Sequence, residues 1–216
     1  MAQRDAPHPE RAPEGCLFEG RRESIEPIGP VSMNRDPRFM IRRLEPLDAS
    51  LYRELRLEAL RLHPHAYGST FESESAAPLY FFEQRLASSE VLLGSIDSAP
   101  MGIVRFSIPT FVTERHKGML TGMYVREGAR GTGLAATLVD AVIERARGRV
   151  IFVELSVVTT NERARRLYAR HGFEIYGVDP CALKHGDRYF DEYLMTRFLE
   201  PPPGWAVPKP PSVAWR

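Results

Sequence analysis

The sequence predicts an α/β (α+β) fold, a mixed sheet with helices on both faces. Three observations predict it. Apolar runs of strand length alternate with stretches whose apolar residues recur at the helical spacing of i, i+3, i+4 and i+7. At residues 123–136 an apolar strand passes through a basic, glycine-bearing turn into an amphipathic helix. The chain has 216 residues, 43% of them hydrophobic, enough to bury one substantial core.

Each element follows from local chemistry. Residues 39–44 read as a short strand; Asp48 is then expected to cap a helix carrying Tyr52, Leu55, Ala59 and Leu62 on one face and halted near Pro64. A second helical stretch covers 78–86. The apolar runs 91–96 and 102–108, joined by Asp97, Ser98, Ala99 and Pro100, form an antiparallel hairpin, and 118–125 is the third strand of that meander. After the glycine turn, Leu134, Leu138, Ala141 and Val142 make the apolar stripe of a helix that ends at Gly148. Residues 150–157 are a buried strand. Thr159 and Glu162 have capping-box spacing and open a helix with Ala164, Leu167, Tyr168 and His171 on one face, closed by Gly172. Strands at 173–176 and 189–198 complete the domain.

The ends read differently. Residues 1–37, rich in Pro, Arg, Glu and Gly without periodicity, are expected to form a disordered N-terminal extension. Residues 200–216, with repeated prolines and Trp205 and Trp215, read as an extended tail. The domain is thus placed at 38–199. Lys and Arg total 29 against 28 Asp and Glu, which supplies no basic field for nucleic acid. Cys16 and Cys181 form no CxxC, and the six histidines show no metal spacing, so neither a disulfide framework nor a metal site is expected. Without an apolar leader or a membrane-length apolar stretch, the expectation is a cytoplasmic protein.

The turn after Val125 is an anion-binding device. Gly131 and Gly133 carry no Cβ, so a ligand can approach the main chain; unpaired amides at the helix start and the helix dipole favour negative charge, and Arg130 adds a fixed positive one. The run from Gly131 to Ala136 also fits a loose dinucleotide fingerprint, with Glu154 at the distance of a ribose-binding acid. Two features oppose that reading. Arg126 to Arg130 separate the strand from the first glycine, and Glu154 lies mid-strand with apolar Leu155, Val157 and Val158 continuing beyond it. A Walker A loop is excluded because no Gly-Lys-Ser/Thr follows.

Arg130-Gly131-Thr132-Gly133-Leu134-Ala135, preceded by Met123-Tyr124-Val125, resembles the Arg/Gln-x-x-Gly-x-Gly/Ala signature of the GNAT superfamily of N-acetyltransferases. Asn161, Ala164, Leu167-Tyr168 and Gly172-Phe173 resemble its second signature, and Asp191-Glu192 and Met195 a late strand; the resemblance covers about residues 40–199. It implies a mostly antiparallel sheet whose fourth and fifth strands splay apart, and acetyl-CoA as co-substrate. Pantetheine would lie in the splay along Met123, Tyr124 and Val125 with Asn161 in contact. The pyrophosphate would meet Arg130, Gly131, Thr132, Gly133, Leu134, Ala135 and Ala136.

Acetyl transfer to an amine needs a neutral amine, charge stabilisation and a proton for the leaving thiolate. The resemblance implies Tyr168 as the general acid, and a main-chain amide near Tyr124 or Val125 as oxyanion donor. The general base stays open among Glu114, His116, Glu154 and Glu192. Members similar to the ribosomal-protein acetylases carry Leu-Glu-Val in the fifth strand, where this chain has Leu155-Ser156-Val157, so that subgroup's base and substrate are not carried over. The acceptor, a small-molecule or protein amine, is expected against residues 60–74 and 180–193, with Tyr67 or Phe71 as a wall and a homodimer allowed. A catalytically silent acyl-CoA-binding module is the competing class.

Overall fold

The computed structural model describes residues 38–201 and Gly204; the N-terminal extension, Cys16 and nearly all of the Pro/Trp-rich tail lie outside the described residues. A seven-stranded sheet runs in the order β1-β2-β3-β4-β5-β7-β6. Its strands are β1 (Phe39–Arg43), β2 (Glu90–Ile96), β3 (Ala99–Ser107), β4 (Lys117–Val125), β5 (Phe152–Val158), β6 (Glu174–His185) and β7 (Arg188–Phe198). Every neighbouring pair is antiparallel except β4 with β5.

The helices are α1 (Ala49–Leu62), α2 (Phe71–Ser75), α3 (Leu79–Ser88), α4 (Leu134–Ala146) and α5 (Glu162–Arg170). They occupy both faces of the sheet because strand residues alternate and each face must be covered. On one face α4 and α5 bury Leu134, Leu138, Val142 and Tyr168 against Leu92, Val104 and Val153. On the other, α1 and α3 bury Tyr52, Leu55 and Phe82 against Val91, Leu93 and Ile103. Among the described residues no helix is long and apolar enough to cross a membrane.

Several local expectations change. Asp48 does not cap α1 through its side chain. Arg42 holds that carboxylate with two bonds of 2.8 Å, and the Glu45 amide donates to it at 2.9 Å, so it closes the chain before the helix instead. The cap of α5 is Asn161, not Thr159: its side chain accepts from the Ala164 amide at 3.1 Å. The β2–β3 turn narrows to Asp97 and Ser98, both at positive φ, and β3 begins at Ala99. β6 runs to His185 rather than stopping at Tyr176, because Tyr176 and residues 180–182 are absorbed as register shifts. Leu62 is exposed at the end of α1.

One irregularity positions the site. In a regular strand Leu120 and Tyr124, four residues apart, would share a face, yet Leu120 packs with α4 and Tyr124 with α1. Between Arg105 and Ile103 of β3, which face Thr121 and Tyr124, β4 carries an extra residue, and Gly122 sits there at φ +63°. The bulge reverses the faces of β4 in mid-strand.

Candidate active site

β4 and β5 pair at only three positions, Lys117 with Phe152, Gly118 with Val153 and Met119 with Glu154, and then part. Beyond them β4 keeps β3 on its outer edge and β5 keeps β7, so the facing inner edges carry no strand partner. The Arg126 amide donates to Met101 of β3 at 2.8 Å. By strand alternation the main-chain groups of Val125 and Met123 are turned to the open edge and those of Tyr124 toward β3. Two contacts agree: Arg130 Nε donates to the Val125 carbonyl at 3.3 Å, and the Tyr67 hydroxyl donates to the Met123 carbonyl at 3.0 Å. Of the two expected oxyanion donors, Val125 therefore lies on the open edge. The Tyr124 side chain is buried away from it, donating to Glu58 at 2.7 Å; Arg126 clamps Glu58 and, outweighing burial, holds its carboxyl below the usual range.

The glycine turn stands at the mouth of the opening. Gly131 and Gly133 adopt φ +86° and +104°, which a side chain rarely tolerates, and the Thr132 hydroxyl ties the turn by donating to the Ala129 carbonyl at 2.8 Å. Thr137, bonded to Gly133 at 3.1 Å, is the first amide of α4 in the helical ladder, so Leu134, Ala135 and Ala136 precede it at the positive end of the dipole. The Leu134 amide has only a long contact of 3.4 Å to the Thr132 hydroxyl. Arg130 is turned elsewhere, with its Nη2 2.6 Å from His63 Nε2. Burial and the Arg130 charge hold His63 below its ordinary pKa, so the neutral imidazole accepts from the guanidinium.

Tyr168 is buried, edge-on to Phe173 at 5.9 Å, and its hydroxyl has no hydrogen-bond partner among the described residues. Burial, then the neighbouring Tyr67, pushes the phenol well above its ordinary range, so it keeps its proton near neutrality. Tyr67 is itself pushed up to about 12, chiefly by burial. Asn161 is placed by its capping bond at the start of α5.

On the α1 face the splay opens into a cavity of about 330 Å³. Ala66, Tyr67 and Gly68 line it, whereas Phe71 does not and His65 stacks on Phe190 at 4.9 Å. Of the four candidate bases only Glu192 is on its wall, beside Ser156. Burial and the Asp179 charge raise its carboxyl above the usual range, against a Ser156 hydrogen bond that lowers it. Glu114 pairs instead with Lys117 at 3.6 Å, and His116 packs edge-on to Phe152 at 5.8 Å. Sequence reasoning missed three cationic lining residues, Arg56, Arg85 and Arg105. Arg56 left a trace: a charge interrupting the apolar stripe of Tyr52, Leu55 and Ala59 on α1.

A family model described as the acetyltransferase (GNAT) family matches residues 51–173, more than half of the chain. The chain belongs to the GNAT acetyltransferase family. Among curated GNAT relatives, the L-methionine sulfoximine/L-methionine sulfone acetyltransferase of Pseudomonas aeruginosa is 36% identical over 80 residues, 37% of this chain and 46% of that protein. The match thus spans about half the length of that relative. The L-amino acid N-acetyltransferase AaaT of Escherichia coli is 27% identical over 165 residues, 74% of this chain and 97% of that one. Among solved structures, a GNAT-family acetyltransferase from Streptococcus pneumoniae shares 25% identity at a TM-score of 0.61, covering 74% of this chain and 99% of that one. YncA of Salmonella typhimurium, solved with its cofactor acetyl-CoA, shares the fold at a TM-score of 0.63 with 22% identity, over 79% of this chain and 98% of its own.

Proposed function

We propose that this GNAT protein transfers an acetyl group from acetyl-CoA to the primary amine of an acceptor bound beside it, by direct attack in a ternary complex. The observation that carries the reading is the parting of β4 from β5 after three paired residues, with the glycine turn at its mouth. The residues fit such a carrier: open strand edges offer partners to an amide-bearing arm, and the Cβ-free turn offers amides to phosphates. Acetyl-CoA, when bound, supplies the activated thioester. Met123, Val125 and Asn161 hold its arm, and Gly131 to Ala136 hold its phosphates, with Arg130 near enough to add its charge once it leaves His63. Glu192 takes the proton of the incoming amine and Tyr168 gives one to the departing sulfur. A cytoplasmic setting fits this chemistry.

The test pairs binding with turnover. Acetyl-CoA and CoA are expected to raise the melting temperature while NAD does not, and a panel of primary amines should contain members that release thiol from acetyl-CoA. Stabilisation by NAD alone would refute the proposal. Binding of acetyl-CoA with no amine ever releasing thiol would favour the silent module.

A further inference from the structure

The acceptor cavity has an unusual charge arrangement. Arg56 and Arg85 share one buried carboxylate, Glu74, with Arg56 Nη2 2.9 Å and Arg85 Nη1 3.2 Å from it. Arg56 also lies over the Tyr67 ring at 4.8 Å and Arg85 over Phe81 at 4.4 Å, so both are fixed in the wall. Arg105 on β3 is the third guanidinium. It is half-buried, its Nε donates to the Thr121 hydroxyl at 2.9 Å, and among the described residues it has no carboxylate partner. Burial and the nearby Arg85 and Arg56 charges depress its pKa, the mark of a cation held where it is electrostatically uncomfortable.

A half-buried guanidinium with no carboxylate in contact is costly to keep unless something is bound there. With Nε used by Thr121, the two terminal nitrogens form the free edge of the fork, the edge that matches a planar carboxylate with two parallel hydrogen bonds. Its bond to Thr121 ties the guanidinium to β4, while Glu192 of β7 lines the same cavity with Ser156 of β5. Arg105 and Glu192 therefore line one cavity, from strands on either side of the splay, within a volume of about 330 Å³ suited to a small molecule.

We propose that the acceptor is a small amine bearing a carboxylate, its carboxylate clamped by the terminal nitrogens of Arg105 and its amine presented to Glu192. The inference rests on the acetyl-transfer reading and names the substrate class of that site. It assigns Arg105 to substrate binding, and Arg56 and Arg85 with Glu74 to positioning by a fixed positive field.

Equilibrium binding tests it independently of turnover. The common L-amino acids, each beside its own carboxamide, are titrated into the full chain saturated with CoA, using wild type, Arg105→Gln and Arg105→Lys. At least one acid should bind on the order of 10- to 100-fold more tightly than its carboxamide. Arg105→Gln should abolish that difference while CoA affinity and melting temperature hold. Arg105→Lys, which keeps the charge but loses the fork, should restore part of it. Dipeptides distinguish the source: Arg105-dependent binding of a dipeptide extends the carboxylate class to short peptides. Equal binding of acids and carboxamides, an acid preference that survives Arg105→Gln, or a stronger response to phosphoethanolamine than to any carboxylate overturns the proposal. Each of these leaves thiol release by other amines intact, so failure here is distinguishable from failure of acetyl transfer.

Discussion

Replacing Glu192 with glutamine tests the proposed base with little disturbance to packing, because the two side chains have the same shape and the amide can still meet Ser156. Glu192 is half-buried on the cavity wall, and burial together with Asp179 raises its carboxyl above the ordinary value of 4.5. Removing a positioned general base typically costs about 10²- to 10⁴-fold in rate. At about 1.4 kcal/mol per decade this is about 3–5 kcal/mol of barrier. The active form is the carboxylate, so activity is present above the Glu192 pKa and is lost about tenfold per pH unit as pH falls through it. The burial-driven shift moves that limb upward, toward neutrality.

The assay is thiol release, followed as kcat/KM between about pH 5 and 9 with two acceptors of different amine pKa. A limb that moves with the acceptor belongs to its amine, and one that stays fixed belongs to the protein. Glu192→Gln should lose the fixed acidic limb and fall by the stated factor, with an unchanged melting temperature. A variant within about threefold of wild type, or one that keeps the fixed limb, refutes the assignment. In the second case the next residue to test is Glu154, on the same strand face as Ser156.

Three further outcomes are expected. Tyr168→Phe should lower kcat about 100-fold with acetyl-CoA affinity unchanged, since the lost group is a proton donor rather than a binding contact; an unchanged kcat would leave Tyr168 as packing against Phe173. Gly133→Asp forces a side chain into φ +104° and sets a carboxylate where phosphates are expected, so calorimetry should show acetyl-CoA binding weakened on the order of 30-fold or more. Glu74→Gln leaves Arg56 and Arg85 without their buried counter-ion and should cost about 3–5 kcal/mol, read as a fall in melting temperature of roughly 6–20 °C. Glu74 is also a source of acid lability. Burial works to raise its carboxyl, but Arg56 and Arg85 outweigh it and hold the folded pKa below 4.5; the stabilisation is complete above that value and lost as pH falls through the folded pKa. Wild type should therefore lose melting temperature below about pH 4.5, and the variant should lack this component.

The parts of the fold visible in the sequence were those with periodicity. The α4 stripe and the apolar runs of β2, β3 and β5 each repeat long enough to identify their period, and the glycines of the turn mark positions where φ is positive. Elements governed by a single competing contact were not visible. Asp48 has the composition of a cap, but nothing local says that Arg42 will take its carboxylate. α2 has five residues, too few to show a period, although Thr70 caps it by accepting from the Ser73 amide at 3.2 Å. β6 contains Gly177 and Pro180, which read as breakers; the sheet tolerates them because Cys181 takes φ +55° and its amide donates to Asp191 at 2.8 Å. The site divides in the same way. The glycine turn proposed for the donor lies on one continuous motif, whereas the cavity proposed for the acceptor draws on α1, α3, β3, β5 and β7, whose assembly no local spacing encodes.

The bulge at Gly122 links the halves. Before it, the Thr121 hydroxyl anchors Arg105, and Gly122 itself lines the cavity with Arg56 Nη1 3.9 Å from where a Cβ would stand. That distance is ordinary contact, so glycine is required there by its φ of +63° rather than by lack of room. After it, Tyr124 is driven into the α1 core and pinned to Glu58, and the main-chain groups of Met123 and Val125 turn to the open edge. A regular strand could not do both: with strict alternation, Tyr124 would share the face of Leu120 under α4, and its anchor to α1 would be lost. One inserted residue therefore lets a single strand turn the Thr121 side chain to the cavity and, just beyond, the backbone of Met123 and Val125 to the open edge, the two places where the proposed function puts acceptor and donor.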